Sequence, residues 1–290
     1  MKSLIVGMGI GKLYHDIFAS LGADIVTVDL NGSADYTSVL SAIDDHGVFD
    51  TVNICTPNFT HEQLARVVAP HARIVFVEKP GVKDADSWAA LVKQFPDTRI
   101  MMVKNNQYRD NLGQLQEYAA LASEIQLNWI NYNRVPSPGT WFTTKSLSYG
   151  GVSRDLMPHL LSLMIALDPN WKIASLIHKQ SDMRYTLSDL ADTEYGTVKH
   201  DGTYDVDDFA TLEYVSADKV DIILTADWKS TTVDNRSICL NNAGTFELGL
   251  CPESAYKQMI ETAIAAVDDD AFWQTQFEQD VWIHTQIGLL

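Results

Sequence analysis

The sequence predicts an α/β chain in two parts. Residues 1–104 read as a doubly wound parallel sheet with helices on both faces, and residues 105–290 as an α+β domain with a mostly antiparallel sheet. Three observations carry this expectation. Short β-branched runs alternate with amphipathic stretches through the first hundred residues, a glycine-rich turn follows the first of those runs, and beyond about residue 105 several strands come in succession. At 290 residues the chain is long enough to bury two cores.

In the first part, strands are expected at 4–7, 24–29, 51–55, 74–78 and 100–103. Between them, Tyr14, Ile17, Phe18 and Leu21, and then Leu64, Val67 and Val68, recur at helical spacing. In the second part, strands are expected at 125–132, 209–215, 220–228 and 237–240, with turn-forming Asn241-Asn242-Ala243-Gly244 after the last. Short connections between them predict antiparallel pairing. Helical stretches at 253–267 and 270–287 close the chain.

Apolar residues make up 46% and charged residues 20%, the balance of a folded globular chain and not of a disordered one. A formal net charge of -17 argues against nucleic-acid or anionic-membrane surfaces, which need clustered Lys and Arg. Cys55, Cys239 and Cys251 fit neither a disulfide framework nor a zinc site, and Met1 runs straight into a strand with no secretion signal, so a cytoplasmic location is expected. The longest apolar run, 160–167, is too short to span a bilayer.

Gly7-Met8-Gly9-Ile10-Gly11-Lys12 joins the first strand to a helix, where a pyrophosphate needs a tight turn, close backbone approach and a helix N-terminus. The third glycine of G-x-G-x-x-G is displaced: Lys12 holds its place and Gly11 lies beside it. Asp29 follows 22 residues after Gly7, at the end of the second strand, where a carboxylate accepts hydrogen bonds from adenosine ribose hydroxyls. By itself a strand-end aspartate is common, and its weight comes from Gly7 and Gly9. A carboxylate there repels a 2′-phosphate and Leu30-Asn31-Gly32 offers no arginine, so NAD(H) is expected over NADP(H).

Further landmarks follow in order. Thr56-Pro57-Asn58 and His61 come after the third strand, and Glu78-Lys79-Pro80 after the fourth. Gly150-Gly151, Asp155-Leu156-Met157-Pro158-His159 and Asp207-Asp208-Phe209-Ala210 lie farther on. In these the chain resembles the Gfo/Idh/MocA oxidoreductases, the family of glucose-fructose oxidoreductase and inositol dehydrogenase. The resemblance implies a Rossmann domain, an antiparallel-sheet domain used for homo-oligomerisation (dimer or tetramer), nicotinamide near Glu78-Lys79-Pro80 and substrate between the domains. It gives catalytic roles to Lys79, Asp155 and His159, and cofactor contacts to Thr56, Pro57, Asn58, His61, Glu78 and Lys79. Tyr108-Arg109 stands where many members carry an aromatic-arginine segment, which makes Arg109 a substrate-facing candidate.

Alcohol oxidation by NAD needs a base within reach of the hydroxyl proton, and His159 suits that role near neutral pH. Asp155 precedes it by four residues and could orient the ring. Pro158 limits the helix to a start near 155–157, so Asp155 could equally be its cap. Lys79, at a strand's C-terminal end, can bind the reacting oxygen and assist proton transfer. Trp141 and Tyr149, with Lys145, suit stacking on a sugar and binding its hydroxyls, although Trp141 fits a core equally well. Arg154 could bind an anionic substrate or pair with a surface carboxylate.

No metal site is expected, because the remaining histidines lack ligand spacing and Asp268-Asp269-Asp270 lacks the rest of a cation loop. These readings point to an NAD(H)-dependent oxidoreductase acting on a secondary alcohol or ketone of a carbohydrate-like small molecule. The alternatives are a non-catalytic NAD-binding regulator or assembly subunit, and a reductase of a non-carbohydrate substrate.

Overall fold

Five parallel strands form the N-terminal sheet: β1 (Lys2–Val6), β2 (Asp24–Val28), β3 (Phe49–Ile54), β4 (Ala72–Val77) and β5 (Arg99–Met102), in the order β2-β1-β3-β4-β5. They are joined by α1 (Gly11–Ser20), α2 (Val39–His46), α3 (Asn58–Val68) and α4 (Ala85–Gln94). β4 reads Ala-Arg-Ile-Val-Phe-Val and is buried at every position but Arg73, the near-continuous apolar run of a strand covered on both faces. Beyond β2 the chain makes one more parallel bridge, Val28 to Tyr36, so a sixth strand is reduced to a single residue. The order reverses between β1 and β3. In such sheets, ligands gather at the carboxyl ends of the strands flanking this reversal.

The computed structural model describes residues 1–231 and 234–290. They form two units: Met1–Val103 with Tyr256–His284, and Lys104–Ala255 with Thr285–Leu290. The 105–290 domain expected from sequence is therefore not contiguous, because most of α9 (Glu253–Ala265) and α10 (Asp270–Ile287) joins the first unit. The reason lies at β5, an edge strand whose open N–H groups need cover. Asp280, fully buried on α10, accepts the Met102 N–H at 3.0 Å, and Arg99 donates to the Val267 carbonyl. His284 stacks on Trp88 and accepts the Val82 N–H.

The second unit is built on a six-stranded sheet of β6 (Glu124–Ile130), β7 (Ser175–Asp182), β8 (Phe209–Val215), β9 (Asp221–Asp227), β10 (Asn235–Leu240) and β11 (Gly244–Glu247). Its order is β11-β10-β6-β9-β8-β7, and every pair is antiparallel except β6 with β9. Besides α5 (Leu112–Ala119), two short helices, α6 (Lys145–Ser148) and α7 (Val152–Asp155), lead into α8 (Met157–Leu167). Apolar on nearly all sides, α8 is a buried core helix lying against β6 and β9. β7, which has no period-2 apolar pattern, escapes sequence reading because it is an exposed polar edge.

Candidate functional site

In the first unit, the loop between β1 and α1 is shaped by its glycines. Gly7 has φ of 93°, and a Cβ there would lie 2.7 Å from the Cys55 carbonyl oxygen. Gly11 opens α1 against the sheet, where a Cβ would come within 3.0 Å of Ile5 Cγ2. It thus serves the close helix–strand packing of the third glycine in the usual pattern, one residue early. At Gly9, between them, a Cβ would meet no protein atom within 4 Å. Protein packing therefore does not require that glycine, whereas close approach of a pyrophosphate to the backbone would.

Asp29 closes the loop from β2. Its carboxylate accepts the Met8 N–H at 2.7 Å and the Asn31 N–H at 2.8 Å, and those two bonds hold its pKa below the usual carboxylate value. The carboxylate is thus kept ionised beside the glycine loop, as a ribose-binding acid requires. Neither Lys nor Arg occurs between Asp29 and Tyr36. α1 and α3 start at the carboxyl ends of β1 and β3, with no acidic residue in the first turn of either, which suits an anion at these N-termini.

Thr56, Pro57 and Asn58 form the β3–α3 turn. Thr60 donates to the Pro57 carbonyl at 2.7 Å, so in the 2.6 Å contact between hydroxyls Thr56 is the donor. His61 is fully buried, with Nδ1 2.8 Å from the Gly81 carbonyl oxygen and Nε2 2.7 Å from that of Thr56. Each ring nitrogen lies against a backbone carbonyl, and the neutral ring's single N–H donates to one of the two; buried in this way, His61 ties the β3 and β4 loops together and is not the cofactor contact expected from the sequence. Burial lowers its pKa.

Glu78 is also largely occupied from within. Tyr14, fully buried on α1, donates its hydroxyl to Oε1 at 2.7 Å, and the Lys79 N–H reaches Oε2 at 3.2 Å. Burial raises the Glu78 pKa, opposed by the Tyr14 bond and the Lys79 charge. Glu78 therefore supports the strand end from beneath, while half-buried Lys79 begins the turn into Pro80.

In the second unit, Asp155 ends α7 and Leu156 is the residue that caps α8, so Asp155 is not that helix's cap. Its Oδ2 accepts the Trp228 indole N–H at 2.9 Å. Pro158 lies in the first turn of α8, where its missing N–H costs nothing, and places His159 one residue later. The imidazole stacks on Trp129 with ring centres 5.1 Å apart, and its Nδ1 lies 3.0 Å from Asn106 Nδ2.

The turn before α7 depends on Asp207, whose carboxylate accepts the Gly151 N–H, the Ser153 N–H and the Ser153 hydroxyl. A Cβ on Gly151 would sit 1.8 Å from the Asp207 carbonyl oxygen, which explains the glycine. Asp208 points the other way and accepts the N–H groups of Arg184 and Tyr185 and the Tyr204 hydroxyl.

The expected substrate-facing residues divide. Arg109 is 7% exposed and donates to Asn106 Oδ1 and to the carbonyls of Leu248 and Gly249, so it is a buried structural cation and not a substrate ligand. Trp141 stacks on Phe142, with centres 3.8 Å apart, and is half-buried. Tyr149 follows α6 with φ of 71°, a left-handed backbone uncommon for a bulky residue and often found at functional sites. Arg154 is half-buried, with its alkyl stem against Gly150. Sequence reading missed Tyr14, Asn106, Trp129 and Trp228. Of these, only Asn106 had a local signal, its three-residue spacing from Arg109 across the turn Asn105–Tyr108.

Residues 19–104 match the family model described as "Oxidoreductase family, NAD-binding Rossmann fold". A curated relative from Amycolatopsis mediterranei (strain S699), named as an oxidoreductase subunit of a UDP-kanosamine synthase, is 26% identical over 205 residues. That match covers 69% of this chain and 57% of the relative, so the chain matches little more than half of that protein's length. Among solved structures, GenD2 from gentamicin A biosynthesis, in complex with NAD, superposes with a TM-score of 0.74 at 18% identity, covering 99% of this chain and 92% of that one. Levoglucosan dehydrogenase, in complex with NADH and levoglucosan, gives 0.73 at 15% identity, covering 98% and 94%. At such identities these likenesses speak for the fold. No helix among the described residues is long and apolar enough to cross a membrane. With its 2-1-3-4-5 parallel sheet, its glycine turn and the matched segment, the N-terminal unit is similar to the NAD-binding Rossmann domain of the Gfo/Idh/MocA oxidoreductases.

Proposed function

We propose that the chain is an NAD(H)-dependent dehydrogenase or reductase that moves a hydride between nicotinamide and a secondary alcohol or ketone of a sugar, cyclitol or sugar derivative. The observation that carries the cofactor half is the loop of Gly7, Gly9 and Gly11 closed by the ionised Asp29. No packing contact demands a glycine at position 9, which leaves its backbone open to a pyrophosphate, and Gly11 supplies the close helix–strand packing of the displaced third glycine. Met8 and Ile10 would present loop backbone to the pyrophosphate, while Thr56, Pro57 and Asn58 would offer the N-terminus of α3. NAD(H), when bound, supplies the hydride acceptor or donor.

The chemical half rests on Lys79, Asp155 and His159 acting on one substrate. Lys79 stands just past the carboxyl end of β4, where its amine can take up the hydroxyl proton and, as the ammonium so formed, hydrogen-bond the oxygen. Asp155, at the end of α7, and His159, in the first turn of α8, are each held by an aromatic residue, Trp228 by hydrogen bond and Trp129 by stacking. Fixed side chains of this kind are what proton handling requires. Trp141, Tyr149 and Arg154 are the proposed substrate contacts. The levoglucosan dehydrogenase likeness supports a carbohydrate-like substrate. A homo-oligomer in the cytoplasm remains part of this reading.

The test is a fluorescence titration with NADH and NADPH, followed by a panel of sugars, cyclitols and nucleotide sugars with NAD+. The reading expects at least tenfold tighter NADH binding and NADH formation with one or more members of the panel. Equal NADPH binding would remove the role of Asp29. A panel without turnover, together with reduction of a non-carbohydrate carbonyl, would replace the substrate class.

A further inference from the structure

We propose that Asn106 and Arg109 fix the protonation of His159, so that its imidazole meets the reacting oxygen with an Nε2–H donor and not with a lone pair. This rests on the reading above that His159 faces the substrate. Arg109 is the group here whose hydrogen-bonding role allows no choice. A guanidinium only donates. Arg109 Nε lies 2.8 Å from the side-chain amide of Asn106, so the amide atom facing it is the oxygen. The rest of the guanidinium is committed to the carbonyls of Leu248 and Gly249, which holds Arg109 in place. The spacing is local, because residues three apart share a face across the tight turn Asn105–Tyr108.

With its oxygen assigned, Asn106 turns its NH2 toward His159, 3.0 Å from Nδ1. An amide NH2 donates and does not accept, so Nδ1 must offer a lone pair. Neutral imidazole with a bare Nδ1 carries its proton on Nε2. A second proton, on Nδ1, would point into the NH2 group and cost that bond. Turning the ring over would leave the NH2 of fully buried Asn106 facing carbon, and the Trp129 face holds the ring plane.

The consequence is a division of labour that differs from the one expected from the sequence, where His159 was the base. In the oxidative direction the substrate carbon gives up a hydride, with both electrons, to NAD+. The hydroxyl proton passes to the Lys79 amine, which becomes an ammonium, and the carbon–oxygen double bond forms. His159 donates its Nε2–H to the oxygen throughout. Reduction runs the same transfers backwards. Asn106 and Arg109 are positioning residues, and they act through the histidine.

The experiment is 15N NMR of the full-length protein labelled at histidine, with the His159 signals assigned by their loss in His159→Gln. At neutral pH the account expects Nδ1 at the unprotonated type of shift and Nε2 at the protonated type. Asn106→Asp keeps the shape but can only accept, and is expected to move the proton onto Nδ1. A wild-type spectrum with Nδ1 protonated overturns the proposal, and so does an Asn106→Asp spectrum unchanged from wild type. If that variant does not fold, the wild-type spectrum decides alone. NADH formation measured on the same sample separates the two readings. Nδ1 protonated in an active enzyme rejects only this inference, whereas the expected tautomer in a protein without hydride transfer rejects only the proposed function.

Discussion

Replacing Tyr14 with Phe removes one atom from beneath the proposed nicotinamide end of the site and leaves the ring, with its edge-on contact to Tyr256, in place. The lost bond is the 2.7 Å donation to buried Glu78 Oε1. A hydrogen bond to an ionised group contributes about 1.5–3 kcal/mol, against about 0.5–1.5 kcal/mol for a neutral pair. The cost should therefore depend on the charge of Glu78. Burial raises the Glu78 pKa above its ordinary value of 4.5, so over that interval the folded protein holds a proton that the unfolded chain has lost. Stability from this group is complete below the unfolded pKa and is lost as pH rises through the folded one. Tyr14 opposes that loss by stabilising the anion. Tyr14→Phe should accordingly cost about 2 kcal/mol once Glu78 is ionised, and about 1 kcal/mol or less in acid. Chemical denaturation followed by tryptophan fluorescence, at neutral pH and again below the ordinary carboxyl range, measures both. A cost that is the same at the two pH values, or below about 0.5 kcal/mol at neutral pH, would refute the reasoning.

Other substitutions follow from the same geometry. Gly7→Ala places a Cβ 2.7 Å from the Cys55 carbonyl oxygen on a backbone with φ of 93°. It should lose about 1–3 kcal/mol in a denaturation midpoint and weaken NADH binding in the same preparation. Gly151→Ala drives a Cβ to 1.8 Å from the Asp207 carbonyl oxygen. A loss of about 2 kcal/mol or more is expected by thermal denaturation, and a wild-type melting curve would contradict the packing described. Asp29→Ala frees the N–H groups of Met8 and Asn31, and titration should show NADH affinity falling about tenfold, or 1.4 kcal/mol, while NADPH binding changes less. Trp228→Phe removes the indole N–H from Asp155 and should lower kcat about tenfold, the equivalent of 1.36 kcal/mol.

The parallel sheet was readable in sequence because its strands are buried on both faces, and the glycine turn falls where β1 meets α1. The partner of Asp155 was not readable, since Trp228 lies 73 residues away at the end of β9 and only the sheet brings it near. Arg109 and His61 were misread for one reason. Chemistry-bearing side chains look alike in sequence whether they face a ligand or satisfy buried carbonyls, and here carbonyls of distant loops claim both. The destination of α9 and α10 was hidden likewise, because cover for the β5 edge comes from Asp280, 178 residues after Met102. The proposed trio of Lys79, Asp155 and His159 comes from a pattern of motifs. What each member does depends on neighbours such as Asn106, which the motifs do not contain.

The central claim, hydride transfer carried by Lys79 and His159 on an NAD-binding frame, is tested most directly by initial rates of NAD+ reduction in wild type, Lys79→Ala and His159→Ala, with NADH affinity measured on the same samples. The account predicts that each variant loses about 10²-fold or more in kcat/KM while binding NADH nearly as tightly as wild type. Turnover unchanged in either variant would contradict it.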